Sequence, residues 1–268
     1  MITGMPDICV DVDLRNPGQF FACCGLLELA SRIWTGSEGW FSKEGKESFF
    51  SIATHSGHND PLGEIVRRVC EPTELVALAD DHEAYAQKDR KPVVLLPFKI
   101  RIDWWLNSYR GEDKSELKMW AGQQKPDEKL KELRIAWQNH IRKSHADLNV
   151  RSLLSQVAAV AGLGFDPQSA WKSIDIGFSP DEQDISVLSS PSVEILAAIG
   201  LQRCRPLPVN NKRRWFAYAA WCDPVEIAVA PAALAGAGRS IAAFEFPVVM
   251  RNSQYGSFGW AKVREIAQ

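Results

Sequence analysis

The stretch Ile8-Cys-Val-Asp-Val-Asp-Leu-Arg-Asn-Pro-Gly-Gln-Phe-Phe-Ala-Cys-Cys-Gly-Leu-Leu-Glu-Leu-Ala-Ser-Arg-Ile-Trp34 decides the fold class. After Val10 it alternates apolar and polar side chains as far as Leu14, the two-residue period of a strand with one buried face. Asn16-Pro17 then marks a helix start: Asn caps the first orphan N–H groups, and Pro fits the first helical position, where no N–H is needed. From Gly18 to Trp34 the residues are apolar almost all round, which predicts a helix buried on every side. Gly36 and Gly39 end it. Gly39 to Ala53 carries Trp40, Phe41, Phe49 and Phe50 on either side of a turn near Gly45, so two strands follow. The opening is β-α-β.

Further along, Pro61–Cys70 and Thr73–Leu78 have short helical patterns separated by Pro72, followed by an acidic stretch at Asp80, Asp81 and Glu83. Val93 to Trp105 gives the strongest strand signal, with Phe98, Ile100, Ile102 and Trp104 on one face and Lys99, Arg101 and Asp103 on the other. Asn107 to Asp113 reads as a polar turn. Helices are predicted at Ser115–Gly122, Pro126–His145 and Asn149–Gly162, the second with acids early and bases late, as the helix dipole favours. Between Ala86 and Arg151 there are 15 Lys and Arg against 9 Asp and Glu, so the middle third is the basic part of the chain. Trp171–Phe178 alternates as a strand, and an acidic loop at Asp181 to Asp184 comes after it. Pro191 opens another helix, Val193 to Leu201, whose Leu-Ala-Ala-Ile-Gly-Leu echoes Phe-Ala-Cys-Cys-Gly-Leu at Phe21 to Leu26. Each copy holds a glycine inside a buried helix, where glycine is costly unless another backbone packs against it. The end is strand-rich: Trp215–Cys222, Val225–Val229, Ala242–Met250 and Phe258–Ile266, with Pro231–Gly238 as a connector or short helix. The organisation read from this is one compact α+β unit over 1–268. A sub-division into related β-rich halves, 1–110 and 165–268, around a helical basic insertion at 111–164 stays open.

Composition narrows the function classes. The chain has 268 residues, 46% hydrophobic and 24% charged, with a formal net charge of -2. Such a chain can bury a full core, and any nucleic-acid surface on it has to be a local patch. No apolar run approaches the ~20 residues that cross a bilayer, and the amino terminus has neither a basic start nor an apolar core, so a cytoplasmic, reducing setting is expected. Cys9, Cys23, Cys24, Cys70, Cys204 and Cys222 mostly lie in apolar runs without zinc-ligand spacing and read as small buried hydrophobes. No phosphate-binding Walker loop, dinucleotide glycine fingerprint or serine-hydrolase elbow is present, so no cofactor and no metal is expected.

Three basic segments carry the candidate chemistry. Arg203, Arg205, Lys212, Arg213 and Arg214 stand beside Trp215, and no acid falls between Leu201 and Trp221. Arg offers bidentate contacts to phosphate, and an adjacent indole offers a face to an unpaired base. A solvated charged hairpin explains the same residues. In the second segment Arg251, Tyr255 and Lys262 surround Gly256 and Gly259, which would let a sugar-phosphate backbone approach; a plain hairpin turn is the alternative. The third is Lys118-Met-Trp-Ala-Gly-Gln-Gln-Lys125, read either as a basic amide-rich contact or as a helix end with a glycine cap. Catalysis is the competing class. His55-Ser-Gly-His58-Asn-Asp60 could supply a base for RNA cleavage, although capping of the following Pro-started helix accounts for it as well.

The run Asn16 to Ala30, the segment Asp103-Trp-Trp-Leu106 with Lys118 to Gln124 after it, and Glu194 to Gln202 resemble CRISPR-associated proteins, in particular a subunit family of about 300 residues from subtype I-U, also called I-G. The resemblance spans most of the chain and rests on phrases of sequence, none of them a chemical signature. It implies a ferredoxin-like, RAMP-type core and a non-catalytic, nucleic-acid-binding role in an RNA-guided antiviral effector complex. Guide RNA or target DNA and the other effector subunits would be the partners, with no membrane and no small-molecule cofactor. The loop near Gly256 and Gly259 is glycine-poor for a RAMP. A guide-processing endoribonuclease, metal-independent and using His55 or His58, is the alternative, and the resemblance carries no catalytic residue over.

Overall fold

Asn16 sets the first helix as its sequence suggests: its side chain accepts the Gln19 N–H, and Pro17 follows at the first helical position. The computed structural model describes residues 5–70, 76–77, 93–95, 97–102, 105–107, 112–114, 126–143, 150–160, 162–169, 188–250 and 256–264. In chain order the elements are β1 (Ile8–Asp11), α1 (Pro17–Ile33), β2 (Glu38–Glu44), β3 (Glu47–Ala53), α2 (Pro61–Cys70), β4 (Val76–Ala77), β5 (Val93–Leu95), β6 (Ile100–Ile102), β7 (Trp105–Asn107), β8 (Glu112–Lys114), α3 (Pro126–Lys143), β9 (Ala158–Ala159), β10 (Leu188–Ser189), α4 (Pro191–Gly200), β11 (Leu207–Pro208), β12 (Trp215–Trp221), β13 (Val225–Glu226), α5 (Ala230–Leu234), β14 (Ser240–Met250), β15 (Gly256–Phe258) and β16 (Lys262–Val263). The protein is thus a mixed α+β chain with several antiparallel sheets.

Two sheets dominate. The first has the order β1-β3-β2-β13, and because β3 runs antiparallel to both β1 and β2, those two strands are parallel with β3 between them. Its fourth strand, β13, comes from the far end of the chain and pairs Val225 with Gly39. The second sheet has the order β11-β12-β14-β15, with β16 also on β14. Phe20 of α1 joins the two, stacking on Tyr218 of β12 at 4.2 Å and on Phe41 of β2 at 4.9 Å. The Trp221 indole N–H donates to the Gly39 carbonyl at 2.8 Å and the Tyr218 hydroxyl to the Leu14 carbonyl at 2.7 Å, so these two buried polar aromatics have partners.

The two buried helices, α1 and α4, cross with their backbones in contact. A Cβ on Gly25 would lie 2.0 Å from the Leu196 carbonyl oxygen, and one on Gly200 would lie 2.1 Å from the Phe21 carbonyl oxygen and 2.7 Å from the Gly25 nitrogen. This reciprocal contact is why both echoing segments keep a glycine in a helix interior.

Several elements differ from the sequence-based expectation. Thr73–Leu78 contributes the strand β4, not a helix: Val76 and Ala77 pair with Val94 and Val93. Val93–Trp105 is folded back on itself, since β5 and β6 pair antiparallel around Pro97 to Lys99; Pro97 offers no N–H to a ladder and Lys99 takes a φ of +53°. The helix expected over Asn149–Gly162 is a 3-10 turn, Val150–Ser155, followed by β9. Side chains compete for its carbonyls: the Ser192 hydroxyl donates to Leu153 O and the Gln19 amide to Leu154 O. Strand pairing at Val225–Val229 stops after Glu226, where the chain turns into α5, and Phe258–Ile266 is broken into β15 and β16. The helix expected at Ser115–Gly122, the strand at Trp171–Phe178 and the acidic stretches at Asp80–Glu83 and Asp181–Asp184 lie outside the described residues. In the middle third, α3 follows expectation, but Lys129 and Arg134 on it are buried, so these two bases are not part of an open basic surface.

Replacing Gly25 or Gly200 by Ala is expected to destabilise the protein by about 2 kcal/mol or more in chemical denaturation, because the forced separation of the helices outweighs the up to ~1 kcal/mol that Ala brings in helix propensity. A neutral or stabilising outcome would contradict the crossing.

Candidate nucleic-acid interface

Strand register decides what the second sheet shows to solvent. Trp215 pairs with Pro247, Ala217 with Glu245, and Glu245 with Lys262, so these side chains share one face; Phe216, Tyr218, Phe244 and Phe246 take the other and are buried. The aromatic face is committed to α1, since Phe21 packs edge-on against Tyr218 and Phe246. That leaves the Trp215–Glu245–Lys262 face outward.

The hairpin between β11 and β12 brings Lys212 to the same place. It is closed by Val209 N–H to Trp215 O, Lys212 N–H to Val209 O and Trp215 N–H to Lys212 O, with Asn211 and Arg214 both at φ 62°. Asn accepts this left-handed conformation readily, whereas for Arg it is a strained choice. Lys212 Nζ sits 2.7 Å and 2.9 Å from the two Glu245 carboxylate oxygens, and Lys262 Nζ is 3.2 Å from Oε1. Both ammonium groups also lie over the Trp215 ring, at 5.3 Å and 4.8 Å from its centroid. Hydrogen bonds from Lys212, reinforced by Lys262, outweigh the effect of burial and hold the Glu245 carboxyl below its ordinary range. Arg213 and Arg205 are exposed on the same hairpin and its approach. Two basic segments separate in sequence thus converge on one indole.

Compared with protein-family models, with curated proteins and with solved structures, the chain matches none. Among the described residues no helix is long and apolar enough to cross a membrane, and no three His, Cys, Asp or Glu side chains group to hold a metal ion.

Other residues singled out from the sequence have different surroundings. Arg203 is not on this face but is drawn to the buried Glu28 of α1 at 2.6 Å, a carboxylate that also takes Arg32 at 2.9 Å. Burial pushes Glu28 up, but the hydrogen bonds from Arg203 and Arg32 win and keep it ionised below its ordinary value. Gly256 is a ladder residue opposite Met250. Gly259 is required by packing: a Cβ there would meet Pro247 Cγ and Val249 Cγ2 at 2.9 Å. His55 takes a φ of +56° and sits 3.6 Å from Glu38 Oε2, while His58 Nδ1 accepts the Asp60 N–H and Asp60 in turn caps α2 at Gly63. Each histidine therefore has a local structural task. Lys118, Lys125, Arg251 and Tyr255 lie outside the described residues. The six cysteines are thiols, and Cys23, Cys24, Cys70 and Cys204 are buried.

Sequence reasoning missed two acids. Glu245 was detectable as the single charge in the apolar run Ile241 to Met250. Glu194 is the other: fully buried, it accepts N–H groups from Leu163 at 2.8 Å, Phe165 at 3.2 Å and Asp166 at 3.0 Å. Asp166 beside it accepts the Asn16 side-chain amide at 3.0 Å and the Ser190 N–H at 3.4 Å, tying the starts of α1 and α4 to one loop. Burial first, and the Asp166 charge second, push the Glu194 carboxyl up to about 7 despite the three N–H donors. A buried acid so fully engaged with backbone is a structural clamp, not an exposed acid or base.

That clamp sets a pH dependence. Glu194 binds its proton more tightly folded than unfolded, so between pH 4.5 and about 7 the folded state carries the extra proton and stability falls as pH rises. The free energy of unfolding from chemical denaturation is expected to drop from pH 5 to pH 8 by an amount on the order of 3 kcal/mol. A stability that rises over this window would contradict the assignment.

Proposed function

We propose that the chain is a non-catalytic nucleic-acid-binding subunit of a type I CRISPR RNA-guided antiviral effector complex in the cytoplasm, gripping the backbone of guide RNA or target DNA on the outer face of β12, β14 and β16. The observation that carries the binding part is the convergence of Lys212 and Lys262 on Trp215. Ammonium groups beside an indole are what a phosphate and an adjoining base require. The assembly part rests on the resemblance of Asn16 to Ala30, of Asp103 to Leu106 with Lys118 to Gln124, and of Glu194 to Gln202.

The first sheet supports the ferredoxin-like element of this reading. A β-α-β unit split by an antiparallel β3 is the first half of such a core. The chain departs from it by packing the turn Val150–Ser155 against β1 and by adding β13 beyond β2. The endoribonuclease alternative gains nothing comparable, because His55 and His58 serve Glu38 and the start of α2.

The test is to incubate the purified protein with labelled single-stranded RNA and with duplex DNA at two salt concentrations, reading binding and cleavage together. Binding that weakens with salt, without products, is expected. Arg213→Ala and Lys262→Ala should each weaken it several-fold and flatten the salt slope by about 0.7 on a single strand, while His55→Ala and His58→Ala leave it unchanged. Cleavage products that vanish with either histidine variant would overturn the reading in favour of a nuclease.

A further inference from the structure

The proposed face has an acid at its centre, which a surface built only to attract phosphate would lack. Glu245 uses both carboxylate oxygens on Lys212 and one of them on Lys262; its side chain is 7% exposed, against 45% and 59% for the two lysines. Glu245 thus cancels one of the two lysine charges beside the indole. A duplex, which shows a protein its phosphates and keeps its base faces stacked inside, meets that competing acid with no stacking contact to offset it. The same face has an apolar floor of Ala217 and Pro247, with Trp215 opposite Pro247 in register. Gly259 rests on Pro247, its N–H donating to Pro247 O at 2.8 Å, and the next residue, Trp260, is 46% exposed.

Resting on the binding function proposed above, we infer that this face is specific for single strands: a base stacks on Trp215 in place of the ammonium groups now over its ring, its phosphate draws Lys212 and Lys262 to itself, and Glu245 is the built-in competitor that the phosphate displaces. Glu245 is thereby a specificity-determining residue. A phosphate that arrives with a stacking base offsets the loss of the carboxylate contact, and a duplex phosphate that arrives alone does not. RNA and DNA single strands present the same pair of groups and are both ligands.

The experiment compares single-stranded RNA, single-stranded DNA of the same sequence, and duplex DNA against the wild type and three variants. Wild type should favour both single strands over the duplex. Trp215→Ala should weaken single-strand binding roughly tenfold, with little change for duplex, while Trp215→Phe retains most of the affinity. Glu245→Gln keeps an acceptor for the lysines and removes the competing charge; it should tighten duplex binding several-fold more than single-strand binding and steepen the salt dependence. Unchanged or weakened binding in Glu245→Gln, or equal losses for all three ligands in Trp215→Ala, would overturn the inference and leave the binding function standing. No binding of any ligand by the wild type would overturn both.

Discussion

The backbone contact between Gly25 and Gly200 is the constraint on which the rest of the structure depends. With no Cβ on either residue, α1 and α4 approach until the Leu196 and Phe21 carbonyl oxygens occupy the space a side chain would need. Helices this close share one buried layer, and residues from both enter the same contiguous core together with both main sheets. Their starts are tied as firmly as their middles. Asp166 takes the Asn16 amide and the Ser190 N–H, and Glu194 takes three backbone N–H groups of the same loop. Buried polar groups are costly unless satisfied, and here each carboxylate is engaged on both oxygens, which fixes one relative placement of the two helices.

From that placement the outward face follows. Phe20 and Phe21 of α1 claim the aromatic side of the second sheet, and the two-residue alternation of β12 and β14 then sends Trp215, Ala217 and Glu245 the other way. Sheet register brings Lys262 opposite Glu245, and the tight hairpin after β11 brings Lys212. Neither lysine needs a neighbour in sequence to reach the indole. The face is a by-product of core packing that charge then refines: an acid between two bases holds them in place and limits how strongly they attract phosphates in general.

Periodicity and capping made much of this legible. Asn16-Pro17, the two-sided apolar run after it, the hairpin around Gly45 and the helix opened by Pro191 follow from local chemistry alone, and the paired interior glycines pointed to a close backbone contact. At Val150 and at Thr73, where a helix was expected, a distant partner was responsible for the difference. Gln19 and Ser192 take the carbonyls that a helix at Val150 would have used, and Val94 pairs with Val76 in place of a helical turn. At the candidate site the basic residues and Trp215 were visible as types, but their sorting was not. Only tertiary structure sends Arg203 to Glu28 of α1 and brings Lys212 and Lys262 together on Glu245.

The proposed contact between nucleic acid and the Trp215 face is open to a direct test. Photo-crosslinking with a single-stranded oligonucleotide carrying 5-bromouracil, followed by peptide mapping, tests it without relying on any variant. Adducts are expected on peptides containing Trp215 or Trp260, and unlabelled strand should compete them away. Adducts confined to the His55–Asp60 loop, or none at concentrations where binding is saturated, would rule that contact out.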